Sequence, residues 1–373
     1  MSSLDKKTEQ VFFELLRAGL WEKDVRLSQV GSIDFAAIMR LAEEQSVVGL
    51  VTAGLEHVKD SKVPQTWTLQ LIGSTLQLEQ RNIAMNQFIE GLVDDSRKKG
   101  IYTILVKGQG VAQCYERPMW RTCGDVDFLL NDDNYPKAQS FFISLANSVE
   151  IESENHQGMN IGPWVVEIHG DQHCGLSLRM DRIIDEVQRD IFYAGSVRSW
   201  ENGKTIVFLP GVNEDVILVF THFIKHFFKE GLGLRQICDW CRLLWRFRDK
   251  VDDRLLESRI RRAGLMSEWR AFAAFAVEYL GMPIEGMPMY SSENKWKRKA
   301  DKICKFVMEV GNMGHNREDS SVERRSFFAR KVVSFNRRVA DLCNHAFIFP
   351  MDSLRFFPLI VFNGIKLALR GVG

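Results

Sequence analysis

Apolar positions over residues 8–97 recur at helical spacing. Phe35, Ile38, Met39 and Leu41 lie ahead of Ala42-Glu43-Glu44, with Ser32 or Asp34 placed to cap the start and the acids on the exposed side. From residue 101 the pattern shortens. The runs IYTILVK, DVDFLL, SVEIES, WVVEIH and TIVFLP are rich in Val, Ile and aromatics and are separated by Gly, Pro or Asn, which predicts strands and turns. Between the first two runs, GVAQCYE has room for roughly two helical turns. Residues 134–146 carry a full amphipathic helix. Pro210-Gly211 closes this region, and Glu214 and Asp215 open a long helical tract with negative charge where the helix dipole favours it. The expected division is a helical region 1–97, an α/β core 98–210 and a helical region 211–373.

Composition adds limits. Of 373 residues, 45% are apolar and 26% charged, the balance of a globular chain rather than a disordered one. Lys and Arg number 49 against 48 acids, so the net charge of +1 gives no reason to expect an extended nucleic-acid surface. The charge-rich stretches 293–302 and 323–331 intersperse both signs and read as solvated helix faces. The polar start MSSLDKKTEQ and seven scattered cysteines, an odd number, point to reduced thiols and a cytoplasmic location. The longest apolar stretch, Phe356 to Leu369, is broken by Pro358, Asn363, Gly364 and Lys366 and is shorter than the ~20 residues of a bilayer span. No transmembrane segment is expected. That stretch reads as an amphipathic helix packed on its own chain, with docking on a membrane or partner as the alternative.

The candidate chemistry sits in the strands. In Gly124-Asp125-Val126-Asp127-Phe128-Leu129-Leu130, a period of two puts Asp125 and Asp127 on one face and Val126, Phe128 and Leu130 on the other. Paired carboxylates repel unless a cation sits between them, and hard oxygen ligands suit Mg²⁺ that also binds phosphate. Two surface acids on a half-buried strand is the plainer reading of the spacing alone. Upstream, Ile104-Leu105-Val106 runs into Lys107-Gly108-Gln109-Gly110 and a helix, a turn that backbone N–H groups can use to approach an anion and that otherwise is simply tight. Downstream, Glu167 and His169 share a face while Val166 and Ile168 point to the core. Glu167 supplies a third carboxylate. His169 reads equally as a hydrogen-bonded strand-end histidine or as a group that touches substrate.

Together these pieces resemble the nucleotidyltransferase superfamily: a glycine turn after the first strand, two acids on the second and a single acid on a later one. The strings ILVKGQGVAQCY, RPMWRTCGDVDFLL and VVEIHGD, with DVILVFTHFIKHFF, LRQICDWCRLL and the lead-in IDFAAIMRLAEEQSVVGLVTAGLE, are similar to an uncharacterised bacterial family of nucleotidyltransferases over most of residues 30–250. The resemblance implies an α+β fold, a nucleotidyltransferase-type mixed sheet flanked by N-terminal and C-terminal helical regions. It also implies that Asp125, Asp127 and Glu167 bind Mg²⁺ or Mn²⁺, and that Gly108 faces the triphosphate of ATP or another nucleotide. Lys107 and Arg121 stand where a cation pairs with phosphate oxygens, and Gln109 and Gly124 belong to the same nucleotide-binding turns. Gln109 replaces the second small residue common in that superfamily.

His222 and His226 at i and i+4, and Arg235 and Asp239 at the same spacing, can line the acceptor side of the cleft. Cys238 and Cys241 add Cys-x₂-Cys to His-x₃-His, a zinc-like set, but they fall on an apolar stripe with Leu244 and Trp245 and read as packed core. The expected activity is transfer of a nucleoside monophosphate from a nucleoside triphosphate to an acceptor hydroxyl, on a small molecule or protein. A nucleotide-binding or protein-interaction module without catalysis is the alternative. The three acids are expected to converge on one metal site, and Asp125→Asn or Asp127→Asn to leave the metal-free protein no less stable, because a repulsive charge is removed.

Overall fold

The computed structural model describes residues 5–153, 155–229, 231–312, 345–356 and 358. Most of the Phe356–Leu369 stretch, and all of 323–331, lie outside the described residues. Four helices lead the chain: α1 (Lys6–Trp21), α2 (Phe35–Glu44), α3 (Val48–Glu56) and the long α4 (Gln65–Lys98). Asp34 caps α2 by accepting a hydrogen bond from the backbone N–H of Ala37 at 3.0 Å, satisfying a donor that the first helical turn leaves unpaired.

Five strands then form one mixed sheet in the order β1-β2-β5-β4-β3: β1 (Ile104–Val106), β2 (Asp125–Leu129), β3 (Ser148–Ser153), β4 (His156–Ile161) and β5 (Trp164–His169). β2 and β5 run parallel, and the other neighbours are antiparallel. Between β1 and β2 lies the short α5 (Gly108–Ala112), and α6 (Tyr135–Leu145) begins the crossover from β2. After β5 come α7 (Leu178–Tyr193) and a hairpin of β6 (Val197–Asn202) and β7 (Thr205–Pro210). Helices α8 (Val212–Lys229), α9 (Leu234–Arg246), α10 (Asp253–Ala263), α11 (Met266–Leu280) and α12 (Asn294–Val310) follow. The protein is thus α+β, a mixed sheet between helical flanks. No described helix is long and apolar enough to cross a membrane.

Strand alternation divides the sheet between two cores. Val126, Phe128, Val166 and Ile168 pack with Met85, Ile89 and Val93 of α4 and Phe142 of α6. Leu129, on the opposite face of β2, joins a larger core built from α1–α3 together with α7–α12. The first and last helical regions therefore share one apolar interior. Its centre is aromatic, with Phe220, Phe223, Trp240, Trp269 and Phe272 in edge and tilted contacts at 4.7–5.6 Å, each worth something beyond the area it buries. Cys238 and Cys241 are fully buried within it, as the apolar stripe implied. Buried polar groups tie the two regions as well. Gln45 donates to the carbonyl of Val307 at 3.1 Å and accepts from the N–H of Leu234 at 2.9 Å, and the indole of Trp21 donates to Leu280.

Glycines let α3 press directly on its neighbours. A Cβ on Gly54 would lie 2.0 Å from the carbonyl oxygen of Leu15 in α1, and one on Gly49 would lie 2.0 Å from the carbonyl oxygen of Trp120, just before β2. Backbone atoms cannot yield as a side-chain tip can. Gly49→Ala is therefore expected to cost about 1–3 kcal/mol or more, read as a lower urea midpoint. Gly73→Ala, in α4 with nothing within 4 Å of the added carbon, should instead stabilise by about 0.5–1 kcal/mol through helix propensity. Equal midpoints for the two variants would contradict this close packing.

Candidate active site

Register brings the acids together. Asp127 of β2 is paired with Glu167 of β5, Leu129 with His169, and Val106 of β1 with Asp127. Beyond β1 the chain turns sharply. Lys107 has φ 58° and Gly108 φ +37°, and a Cβ on Gly108 would meet Sγ of Cys123 at 3.2 Å and the carbonyl oxygen of Asp125 at 3.4 Å. Gly108 is thus the point where this turn closes onto the start of β2. A side chain other than glycine at positive φ is held by its surroundings. The ammonium of Lys107 reaches Oδ1 of Asp127 at 3.2 Å, and Nε2 of His169 lies 2.8 Å from the same oxygen.

The two aspartates are consequently unlike. Burial opposes the charge of Asp127, but Lys107 and the His169 hydrogen bond outweigh it and hold this carboxyl far below the usual carboxylate range. Among the described residues, none makes such a bond to Asp125. Asp127, burial and Glu167 push its carboxyl up to about 6, against the pull of Arg235 and Lys107. Burial also disfavours the charge on Lys107, yet Asp127, Glu167 and Asp125 hold its ammonium above the ordinary range. Burial keeps His169 below its usual value despite the hydrogen bond to Asp127.

Register sets the three expected acids on neighbouring positions, Asp127 opposite Glu167 and Asp125 two residues before Asp127 on β2, and a further group lies beside them. Among the described residues, the group of three potential metal ligands with donor atoms within 4.8 Å of one another is His156, Glu167 and His169. Asp127 is held instead by Lys107 and His169. Nε2 of His156 stands 3.1 Å from Oε2 of Glu167, and the His156 and His169 rings stack at 4.3 Å. Sequence reasoning missed His156. It opens β4 directly opposite His169, a cross-strand pairing that no spacing along the chain announces.

Other expected contacts lie elsewhere. Gln109, buried, donates to Oδ1 of Asn82 in α4 at 2.8 Å, and Asn82 donates to the carbonyls of Met119 and Arg121 at 2.8 Å each. Arg121, expected at phosphate, is buried and forks onto Asp239 of α9 with two bonds of 2.7 Å. Tyr115 donates to the same carboxylate at 2.7 Å. Asp239 is therefore not open to an acceptor. Arg235 donates to the carbonyl of Thr122 at 3.0 Å, while its buried Nε has no hydrogen-bond partner among the described residues. These groups pin residues 117–124, the segment that delivers Asp125. Gly124 is exposed with open space around it. His222 and His226 meet Nε2 to Nε2 at 2.9 Å. Burial, then Lys107, keeps His222 well below the usual imidazole range, and His169 acts in the same direction, so this pair lies on the acid side of the sheet.

Fold and site together define an α+β protein with an acid-bearing face on two parallel strands. The chain belongs to the family described as uncharacterised nucleotidyltransferase, which matches residues 31–281. No curated protein and no solved structure matches it.

The contrast between the aspartates has a measurable sign. Asp125 binds its proton more tightly folded than unfolded, so it should make the metal-free protein lose stability as pH rises from about 4 to about 6. Asp125→Asn should remove that slope and leave the protein no less stable at pH 7. Asp127 contributes in the opposite sense: its stability is present above about pH 4 and lost as pH falls. Asp127→Asn should therefore destabilise, since it leaves Lys107 without its nearest anion. Denaturant midpoints across this range check both; identical behaviour of the two variants would contradict the pairing.

Proposed function

We propose that this protein is a metal-dependent nucleotidyltransferase, moving a nucleoside monophosphate from a nucleoside triphosphate to an acceptor hydroxyl. The observation that carries the reading is the only partly compensated carboxylate charge on β2 and β5, together with family membership. Hard oxygen donors on neighbouring strands, one with its proton affinity raised by the others, fit a divalent cation such as Mg²⁺ or Mn²⁺. Asp125, Asp127 and Glu167 would hold it. When bound, such an ion neutralises phosphate charge and lowers the pKa of an attacking hydroxyl.

The remaining roles fall to this chain. Lys107, between the acids and the turn, is suited to hold a phosphate oxygen once Asp127 is otherwise neutralised. Arg235 offers a guanidinium near Asp125 whose buried Nε is unpaired among the described residues, the planar fork that phosphate favours. Arg121 is excluded from that role by Asp239. His222, neutral and on the acid side, is suited to contact the acceptor. The six described cysteines are buried without disulfides, and we assign the protein to the cytoplasm.

The Lys107–Asp127 pair favours one alternative. A built-in ammonium compensates part of the acid charge without metal, as a module that binds nucleotide and transfers nothing could use. Incubation with each labelled triphosphate, Mg²⁺ or Mn²⁺ and cell extract separates the two. Transfer predicts a labelled acceptor with release of pyrophosphate, both abolished in Asp125→Asn and Glu167→Gln. Nucleotide binding with no pyrophosphate release would establish the module, and no nucleotide binding would refute both. Mg²⁺ with triphosphate should also raise the melting temperature of the parent protein, by linkage of binding to folding, and not that of Asp125→Asn.

A further inference from the structure

His156, His169 and Glu167 offer two imidazole nitrogens and a carboxylate oxygen, a donor set unlike that of the aspartates. Both Nε2 atoms approach one oxygen, Oε2 of Glu167, at 3.1 and 3.5 Å. In a tetrahedral zinc site with bonds of ~2.0–2.1 Å, ligand atoms stand about 3.3 Å apart. Two of the three spacings are thus close to those of ligands around a common centre, and all three donor atoms lie within 4.8 Å of one another. The backbone explains why. β4 and β5 pair His156 with His169 and Gly158 with Glu167, so the position opposite Glu167 carries no side chain and the diagonal from His156 stays open. The rings lie nearly parallel, at 22°.

We propose that these three residues bind one transition-metal ion of the Zn²⁺ class. Imidazole nitrogen suits such borderline ions, whereas Mg²⁺ prefers oxygen and retains its waters. Three protein ligands leave a coordination position for water or a substrate group, as in open zinc sites. The site is reachable, since the side chains of His156 and Glu167 are 21% and 23% exposed. Without metal, Nε2 of His169 donates to Oδ1 of Asp127 at 2.8 Å; to ligate the ion it would give up that hydrogen bond, its proton moving to Nδ1 or to solvent, while Asp127 stays beside the cluster. The site needs no nucleotide and goes beyond the transferase reading, with which it shares only Glu167.

Protein stripped by a chelator and dialysed is titrated with Zn²⁺ in excess Mg²⁺ and no nucleotide, using a chromophoric chelator as competitor. One equivalent of Zn²⁺ per chain is expected, and Co²⁺ in its place should give the visible bands of a four- or five-coordinate ion. His156→Gln and His169→Ala should each weaken Zn²⁺ binding by roughly a hundredfold or more, since even changes outside the ligands cost about 10–100-fold. Asp125→Asn should bind Zn²⁺ as the parent does. Absence of stoichiometric Zn²⁺ in the parent overturns the proposal, whatever the fold of any variant. So does binding unchanged in folded His156→Gln, or lost equally in Asp125→Asn. Stabilisation of the parent by Mg²⁺ and triphosphate reports separately on the transferase reading, so either idea can fail alone.

Discussion

Negative charge gathered on one face of two parallel strands is the constraint around which this structure is arranged. Asp125, Asp127 and Glu167 are brought to neighbouring positions by the β2–β5 register, in surroundings where unpaired charge is costly. The chain compensates part of that charge itself. Lys107 leaves β1 in a backbone conformation that few side chains adopt, and its ammonium meets Asp127. His169 adds a hydrogen bond from the neighbouring strand. Asp125 is left outside this compensation, so it is where an added cation has most to relieve.

Delivering that aspartate needs a rigid approach, and residues 117–124 are held from three sides. Asn82 of α4 takes two of the segment's carbonyls, Arg235 of α9 a third, and Gly49 lets α3 close onto Trp120. The fork of Arg121 onto Asp239 anchors the segment to α9. A buried guanidinium needs a partner, and losing one member of such a pair leaves the other charge stranded, at a cost of about 3–5 kcal/mol. Arg121 and Gln109 thus serve the site through the backbone they hold. This also gives the shared core a functional meaning: helices from both ends of the chain, packed as one interior, brace the same short segment.

The two histidines of β4 and β5 add a second kind of chemistry beside the acids. Nitrogen and oxygen donors meet at Glu167, so the face of the sheet grades from hard carboxylates to a softer imidazole pair across adjacent strands. The arrangement follows from strand pairing alone, with Gly158 leaving the diagonal open.

Much of this was legible in one dimension. Alternation of two along DVDFLL and WVVEIH separates acids from core, and the observed burial of Val126, Phe128, Val166 and Ile168 follows it. A cap at Ser32 or Asp34, the short helix after Lys107, the helical flanks and the buried cysteines are readable for the same reason: local periodicity and turn chemistry act over a few residues. Partner choice does not. Nothing in the order of residues says that Arg121 meets Asp239, 118 positions away, rather than a phosphate, for both readings ask the same of a guanidinium. Nor does it say that His156 lies opposite His169, or that Lys107 selects Asp127 and leaves Asp125 exposed to its neighbours' charge. Those outcomes depend on strand register and helix docking, which set distances between groups remote in sequence, and electrostatic partners are chosen by distance in space.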